Sequence, residues 1–321
     1  MGKINRELEM RIAVLGAGAM GSWFGGRLAL AGHDVHLLTT NELHIAAVKK
    51  DGLQMRSGQT VSVVKPQIGR PDEFDASVEL VLALTKTFQL DSAMQSIAAA
   101  VGNQTAILSL QNGLGNAEML ANHVGPNNVW VGVTMLPVDK IAPGIVEAVG
   151  QGTTWFGRAE PTTTEKAGKM TDAIAKVFDS TDLDVRHDAE IQKRIWAKVA
   201  FNVGMNAVCA LANGSPGLIG EYSGARQLVR SAAAEAVAVA RAEGVTIDVE
   251  SVYDTIDFAC REHGDHIPSM LQDLKQGRRT EVDALNGTVT MRGKASGVDT
   301  PVNAILASLV TLAERGHRRL S

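Results

Sequence analysis

The sequence predicts an α/β domain with a mostly parallel sheet, followed by an all-α C-terminal domain, and three observations carry that prediction. Short apolar, β-branched runs alternate with segments of helical pattern through the first half of the chain. That alternation implies parallel strands joined by helical crossovers that cover both faces of a sheet. A glycine cluster follows the first run directly and opens the first helical segment. From about Glu190 onward strand signals vanish, and helical segments are broken only at NGSPG, AEGV, HGDHIP and SGVDTP, the glycine and proline punctuation of helix ends.

In chain order, RIAVL (residues 11–15) is the first strand, a helix runs to AGH, and DVHLL (34–38) is the second strand, making a βαβ unit. Further strands are expected at LVLAL (80–84), AILSL (106–110) and VWVGVTML (129–136), with helices over Gln89–Val101 and Asn116–His123 between them. VEAVG and TTWFG read as two strands joined by a glycine turn, a hairpin-like addition near the end of the sheet. The domain boundary is placed near Asp188. Residues 1–188 then form the nucleotide domain, with 1–9 a flexible polar leader, and residues 189–321 form the helical domain that carries substrate and catalysis.

Composition narrows the class. The chain has 321 residues, 45% apolar and 21% charged, with a formal net charge of −4, so it is globular and lacks the basic footprint that a nucleic-acid partner requires. Two cysteines, Cys209 and Cys260, without paired spacing, support neither a disulfide framework nor a zinc site; no metal is expected. The polar leader has no apolar core and no uninterrupted apolar run reaches 18 residues, so neither secretion nor a membrane is expected and the cytoplasm fits. Apolar helix faces in the second half would pack internally or against a second copy, which leaves a homodimer open.

GAGAMG, comprising Gly16, Ala17, Gly18, Ala19, Met20 and Gly21, satisfies G-x-G-x-x-G. Its place between a strand and a helix, with a second strand behind, selects dinucleotide binding over a turn that serves packing alone. The first glycine permits the tight turn, the second lets backbone approach a pyrophosphate, and the third lets helix and strand pack closely. This is a Rossmann-type arrangement. The tip of the second strand reads LLTTN, Leu37 to Asn41, with no carboxylate before Glu42. An acidic residue there would accept the ribose 2′-OH of NADH, so its absence favours NADPH. No arginine stands there either; Thr39, Thr40 and Asn41 offer hydrogen bonds without charge.

The stretch RIWAKVAFNVGMNAVCAL, Arg194 to Leu211, is an apolar helix with Lys198, Asn202 and Asn206 at successive steps of four, which places all three on one slowly drifting face. A lysine in such a setting loses hydration and must find an anion or move toward its neutral form. Glu281, in TEVDALNG, is a candidate partner, and a Lys–Glu pair suits general acid catalysis. The residues alone leave two readings open, because Lys198 could reach solvent and RRTEVD also reads as a solvated helix start capped by Thr280.

Together these motifs resemble the ketopantoate reductase (2-dehydropantoate 2-reductase) family. The resemblance runs through RIAVLGAGAMGSWFGGRLALAGHDV, ALTKTFQ, LQNGLG, WAKVAFNVGMNAV, PSMLQDLKQGRRTEVDALNG and GVDTPVN, six blocks in order over nearly the whole chain. It implies NADPH-dependent reduction of ketopantoate to pantoate, on the route to pantothenate and coenzyme A. Carried over by position, it implies that Lys198 donates the proton and that Asn202 and Asn206 orient lysine or substrate. It makes Glu281 and Ser269 substrate ligands, and puts Lys86 and Asn112 near the nicotinamide end of the cofactor, with Asn112 also a substrate ligand. The family's arginine at the end of the second strand is replaced by Thr40. The expected substrate is thus a small 2-oxo acid, held between the two domains. The rivals are a related reductase of another 2-oxo or hydroxy acid and a non-catalytic NADP(H) sensor.

Overall fold

The computed structural model describes residues 10–160 and 164–320; the expected flexible leader, residues 1–9, lies outside them. The described residues form two compact units, one made of 10–111, 116–160 and 164–191, the other of 112–115 and 192–320.

The first unit runs β1 (Arg11–Leu15), α1 (Ala19–Leu30), β2 (Asp34–Leu38), α2 (Glu42–Asp51), β3 (Leu53–Ser57), β4 (Thr60–Val64), β5 (Gln67–Gly69), β6 (Leu80–Ala83), α3 (Leu90–Ser96), β7 (Ala106–Ser109), α4 (Asn116–Val124), β8 (Val129–Thr134), β9 (Val138–Ala142), β10 (Ile145–Ala148), β11 (Thr154–Arg158), α5 (Glu165–Asp179) and β12 (Val185–His187). The main sheet has the order β12-β11-β8-β7-β6-β1-β2-β5. Among its pairings only β11 with β8 is antiparallel. Its central strands are buried on both faces, which is why RIAVL, LVLA and AILS read as continuous apolar runs rather than alternating ones. β1 lies between β2 and β6 with Leu15 opposite Leu38 and Ala83, so the loops after all three strands emerge at one edge.

A second, four-stranded sheet has the order β4-β3-β10-β9, and α1 packs against strands of both sheets. This corrects the expected hairpin. β10 (VEAVG in sequence) pairs with β3 and β9 in the small sheet, whereas β11 (TTWFG) joins β8 in the main one. The glycine-rich link between them passes from one sheet to the other. The small sheet left little trace in the sequence because Val61 and Val63 of β4 face solvent, so TVSVV carries no burial pattern.

The second unit contains α6 (Ile191–Ala212, with all but its first residue here), α7 (Pro216–Glu221), α8 (Ser223–Ala242), α9 (Val249–Glu262), α10 (Ser269–Lys275), α11 (Thr288–Ser296) and α12 (Pro301–Leu320), with a single π turn at Asp283–Gly287. Helix α6 is long and apolar enough to cross a membrane, but most of its apolar stretch is buried within the protein; it is a core helix. Trp196, Val199, Ala200 and Val203 pack there with Ala232, Ala233 and Ala236 of α8. The small side chains let the two helices approach closely, and a Cβ on Gly204 would meet the Val229 carbonyl oxygen at 2.5 Å.

Buried amides lock these helices together. Asn286, in the π turn, donates to the Val203 carbonyl of α6 at 2.8 Å and to Asn303 Oδ1 at 3.0 Å. Asn303 donates to the Ala232 carbonyl of α8 and to Glu235. The Glu235 carboxylate in turn accepts the N–H groups of Val302 and Asn303, satisfying the start of α12.

Candidate active site

In the first unit the glycine loop is built for close approach. Gly16 has φ +101° and sits against the Thr85 backbone, where a Cβ would come within 2.5 Å of the Thr85 nitrogen. Only glycine fits both conditions. A Cβ on Gly21 would collide with the Gly16 carbonyl oxygen, whereas nothing lies within 4 Å of one on Gly18. The space over Gly18 is open. Gly18 also caps α1 without a side-chain acceptor, so the first-turn N–H groups of Ala19 and Met20 are left for an outside acceptor, and the helix dipole adds a preference for an anion. Those features fit a pyrophosphate. The loop is anchored from below, since Gly16 and Ala17 both donate to the Leu38 carbonyl at the end of β2.

A link between the two sheets supports this loop, and no sequence motif announced it. The Gly144 N–H donates to His44 Nδ1 at 3.0 Å, which places the ring proton on Nε2, facing Ser22 Oγ at 3.0 Å. Ser22 Oγ donates to the Ala17 carbonyl. Burial, with a smaller effect from Lys140, pushes the His44 pKa down to about 4, so the ring is neutral near pH 7.

At the tip of β2, the Thr39 N–H donates to the Gly69 carbonyl of β5. Asn41 caps α2, its Oδ1 accepting from the His44 N–H at 2.9 Å, while Thr39 Oγ1 accepts from the Asn41 N–H. Two of the three polar side chains at this tip therefore shape the turn, and Thr40 faces solvent. Beside them is Arg70, which sequence reasoning missed: it follows β5 directly and pairs with Glu42 at 2.6 Å and Asp72 at 3.0 Å. After β6, Thr85 receives two bonds from the Gln111 amide, and the half-buried Lys86 comes next. Gln111 thus joins the loops after β6 and β7, another role that spacing did not reveal.

The second unit holds the charged pair. Asn202 and Asn206 are buried on α6, and Lys198 on the same helix is largely withdrawn from water. Desolvation pushes the Lys198 pKa down from 10.5 to about 8, opposed by attraction to the Glu281 carboxylate. Glu281 is 8% exposed, so the solvated-helix-start reading of RRTEVD fails. Its neighbour Thr280 is buried and donates through both N–H and hydroxyl to Glu314 of α12, which fixes the segment inward. Behind it, the Leu114 N–H donates to the Ala284 carbonyl at 2.9 Å, and Gly113, with φ +85°, leaves no room for a Cβ against the same oxygen. The Asn112–Gly115 turn therefore packs on the segment that bears Glu281. Ser269 opens α10 with an exposed side chain.

Comparison with known proteins settles the family. Residues 12–161 match the model described as "Ketopantoate reductase PanE/ApbA", and residues 190–314 match its C-terminal partner. A 2-dehydropantoate 2-reductase of Halobacterium salinarum is 35% identical over 310 residues, covering 95% of this chain and 99% of that protein. The chain belongs to the ketopantoate reductase family. Another curated family member, from Streptococcus pyogenes, is 31% identical over 95% of this chain and 98% of its own. Among solved structures, a 2-dehydropantoate 2-reductase from Geobacter metallireducens superposes with TM-score 0.86 at 32% identity, over 95% of this chain and all of that one. A D-mandelate dehydrogenase in ternary complex with NADH and anilino(oxo)acetate gives TM-score 0.89 at 30% identity, over 96% of this chain and all of that one. Membership makes the protein a nicotinamide-dependent oxidoreductase acting on a CH–OH group of a small acid, with the α/β and all-α units in the expected order.

Proposed function

We propose that this chain reduces 2-dehydropantoate (ketopantoate) to pantoate with NADPH, as a cytoplasmic step toward pantothenate and coenzyme A. The observation that carries the reading is the Lys198–Glu281 pair: a lysine whose pKa is brought to about 8 and which still keeps a carboxylate partner. Such a group is mostly protonated at neutral pH yet gives up its proton readily, as an acid must.

The glycine loop from Gly16 to Gly21 would hold the reduced nicotinamide cofactor, which would supply the hydride for the ketone carbon. The Lys198 ammonium meets the negative charge that develops on the ketone oxygen and passes a proton to it, leaving a neutral amine. Positioned acids of this kind contribute roughly 10²- to 10⁴-fold in rate. Asn202 and Asn206 orient the lysine and the carbonyl, while Glu281 and Ser269 take the substrate's hydroxyl and carboxylate groups. Lys86 and Asn112 serve the nicotinamide end of the cofactor. Gly16, Ala17, Gly18, Ala19, Met20 and Gly21 bind its pyrophosphate, and Thr40 the adenosine ribose.

A second reading, a reductase of another 2-oxo acid, is favoured by the likeness to D-mandelate dehydrogenase. A panel of 2-oxo acids assayed with NADPH and with NADH, followed by absorbance loss at the nicotinamide band, separates the two. Highest kcat/KM on ketopantoate supports the proposal and highest kcat/KM on an aryl 2-oxo acid rejects it. Binding of NADP(H) without turnover of any acid would make the protein a sensor.

A further inference from the structure

The tip of β2 has no cation of its own, yet a guanidinium stands beside it. β5 runs parallel to β2 with Leu38 opposite Gly69, and the Thr39 N–H donates to the Gly69 carbonyl at 3.1 Å. Arg70 is the next residue, so its backbone leaves the sheet alongside Thr39 and Thr40. This is the edge where a Rossmann-type sheet reads the adenosine ribose. The Arg70 side chain turns toward the β2 loop: Nη1 donates to Glu42, two residues beyond Thr40, at 2.6 Å, and Nε to Asp72 at 3.0 Å.

We infer that Arg70 is the cofactor-specificity residue of this chain, exchanging Glu42 for the 2′-phosphate of NADPH while Asp72 keeps the guanidinium aimed. The inference rests on the dinucleotide reading of the first unit and names the group that tells the two cofactors apart. Three features argue for it. The side chains of Glu42 and Asp72 are 66% and 60% exposed, and ion pairs between exposed groups hold weakly, so the exchange meets little resistance. The edge of the guanidinium facing Glu42 offers N–H donors in the fork geometry that suits a phosphate. Once displaced, Glu42 can turn into water, where its charge is screened. Thr40, exposed at the same tip, adds a hydroxyl donor but no charge.

Glu42 is then a place-holder that competes with the phosphate, and its neutralisation should favour NADPH. The test measures dissociation constants of NADPH, NADH, adenosine 2′,5′-bisphosphate and AMP on the full chain, for wild type, R70Q, R70K and E42Q. R70Q should weaken NADPH and the bisphosphate by roughly 10- to 100-fold, the worth of hydrogen bonds to a charged group, and leave NADH and AMP within about twofold. Retained NADH affinity also shows that the variant is folded. R70K should recover part of the loss, and E42Q should tighten NADPH but not NADH. Equal loss of NADPH and NADH in R70Q, no loss of either, or a wild type that ignores the 2′-phosphate would each overturn the role of Arg70 and leave the dinucleotide site standing. A wild type that binds neither dinucleotide would overturn the site and the inference together.

Discussion

Replacing Glu281 by glutamine removes the negative charge that holds Lys198 protonated, and the consequence can be read from a pH profile. Desolvation alone would carry the lysine below its present value; the carboxylate brings it back up to about 8. The net displacement from 10.5 corresponds to about 3 kcal/mol against the charged form. Ketone reduction needs the ammonium, so kcat/KM should fall tenfold per pH unit above about 8, and be roughly tenfold lower at pH 9 than at pH 7. Loss of an opposite charge close by lowers a lysine pKa by about one unit or more. In Glu281→Gln the break should therefore move down to about pH 7, and activity at pH 8, relative to each variant's own acid plateau, should drop from about a half to about a tenth. Oxidation of the alcohol needs the neutral amine, so its profile should rise across the same interval and shift the same way. The assay is initial-rate absorbance at the nicotinamide band in buffers of constant ionic strength. A wild-type profile flat to pH 10, or a Glu281→Gln profile that breaks at the same pH or higher, would refute the pairing as the source of the acid.

Other consequences are simpler. Lys198→Ala should lower kcat by about 10²-fold or more while the NADPH dissociation constant stays nearly unchanged; equal loss of both would mean that the lysine serves the cofactor or the fold. Gly18→Ala should keep its melting temperature, because space over that position is open, yet weaken NADPH about tenfold or more by occupying the phosphate cradle. Gly113→Ala combines positive φ with a backbone clash and should cost about 2–4 kcal/mol in urea unfolding. His44 is buried and neutral, with its folded pKa depressed to about 4 against 6.5. The unfolded chain therefore binds its proton first, and stability present at pH 7 is lost as pH falls from 6.5 toward 4. That loss should reach about 2 kcal/mol at pH 5 and should be absent from His44→Gln, whose urea midpoint would show a shallower acid slope.

Much of the first unit was legible because its signals are local. The glycine loop works through residues adjacent in sequence, and strands buried on both faces read as apolar runs wherever they lie. Strand partners are a different matter. TTWFG and VEAVG both read as strands, but which sheet each joins depends on β8 and β3, neither of which is its neighbour in the chain. Arg70 has no local sequence signal for the same reason: it is thirty residues beyond Thr40, and the β2–β5 register brings them together. His44, which reaches the glycine loop through Ser22, is likewise held by the Gly144 N–H, a hundred residues further on.

The sequence by itself determined the α/β-then-helical order, the glycine turn between β1 and α1 and the shared face of Lys198, Asn202 and Asn206, since each follows from helical or strand period and from glycine's freedom at φ > 0. Tertiary structure decided whether Glu281 is solvated or buried, because that depends on Glu314 accepting from Thr280 and on Asn286 reaching the α6 backbone. It also decided how far the Lys198 proton is loosened, since desolvation is a property of everything packed around a charge and not of its neighbours in the chain.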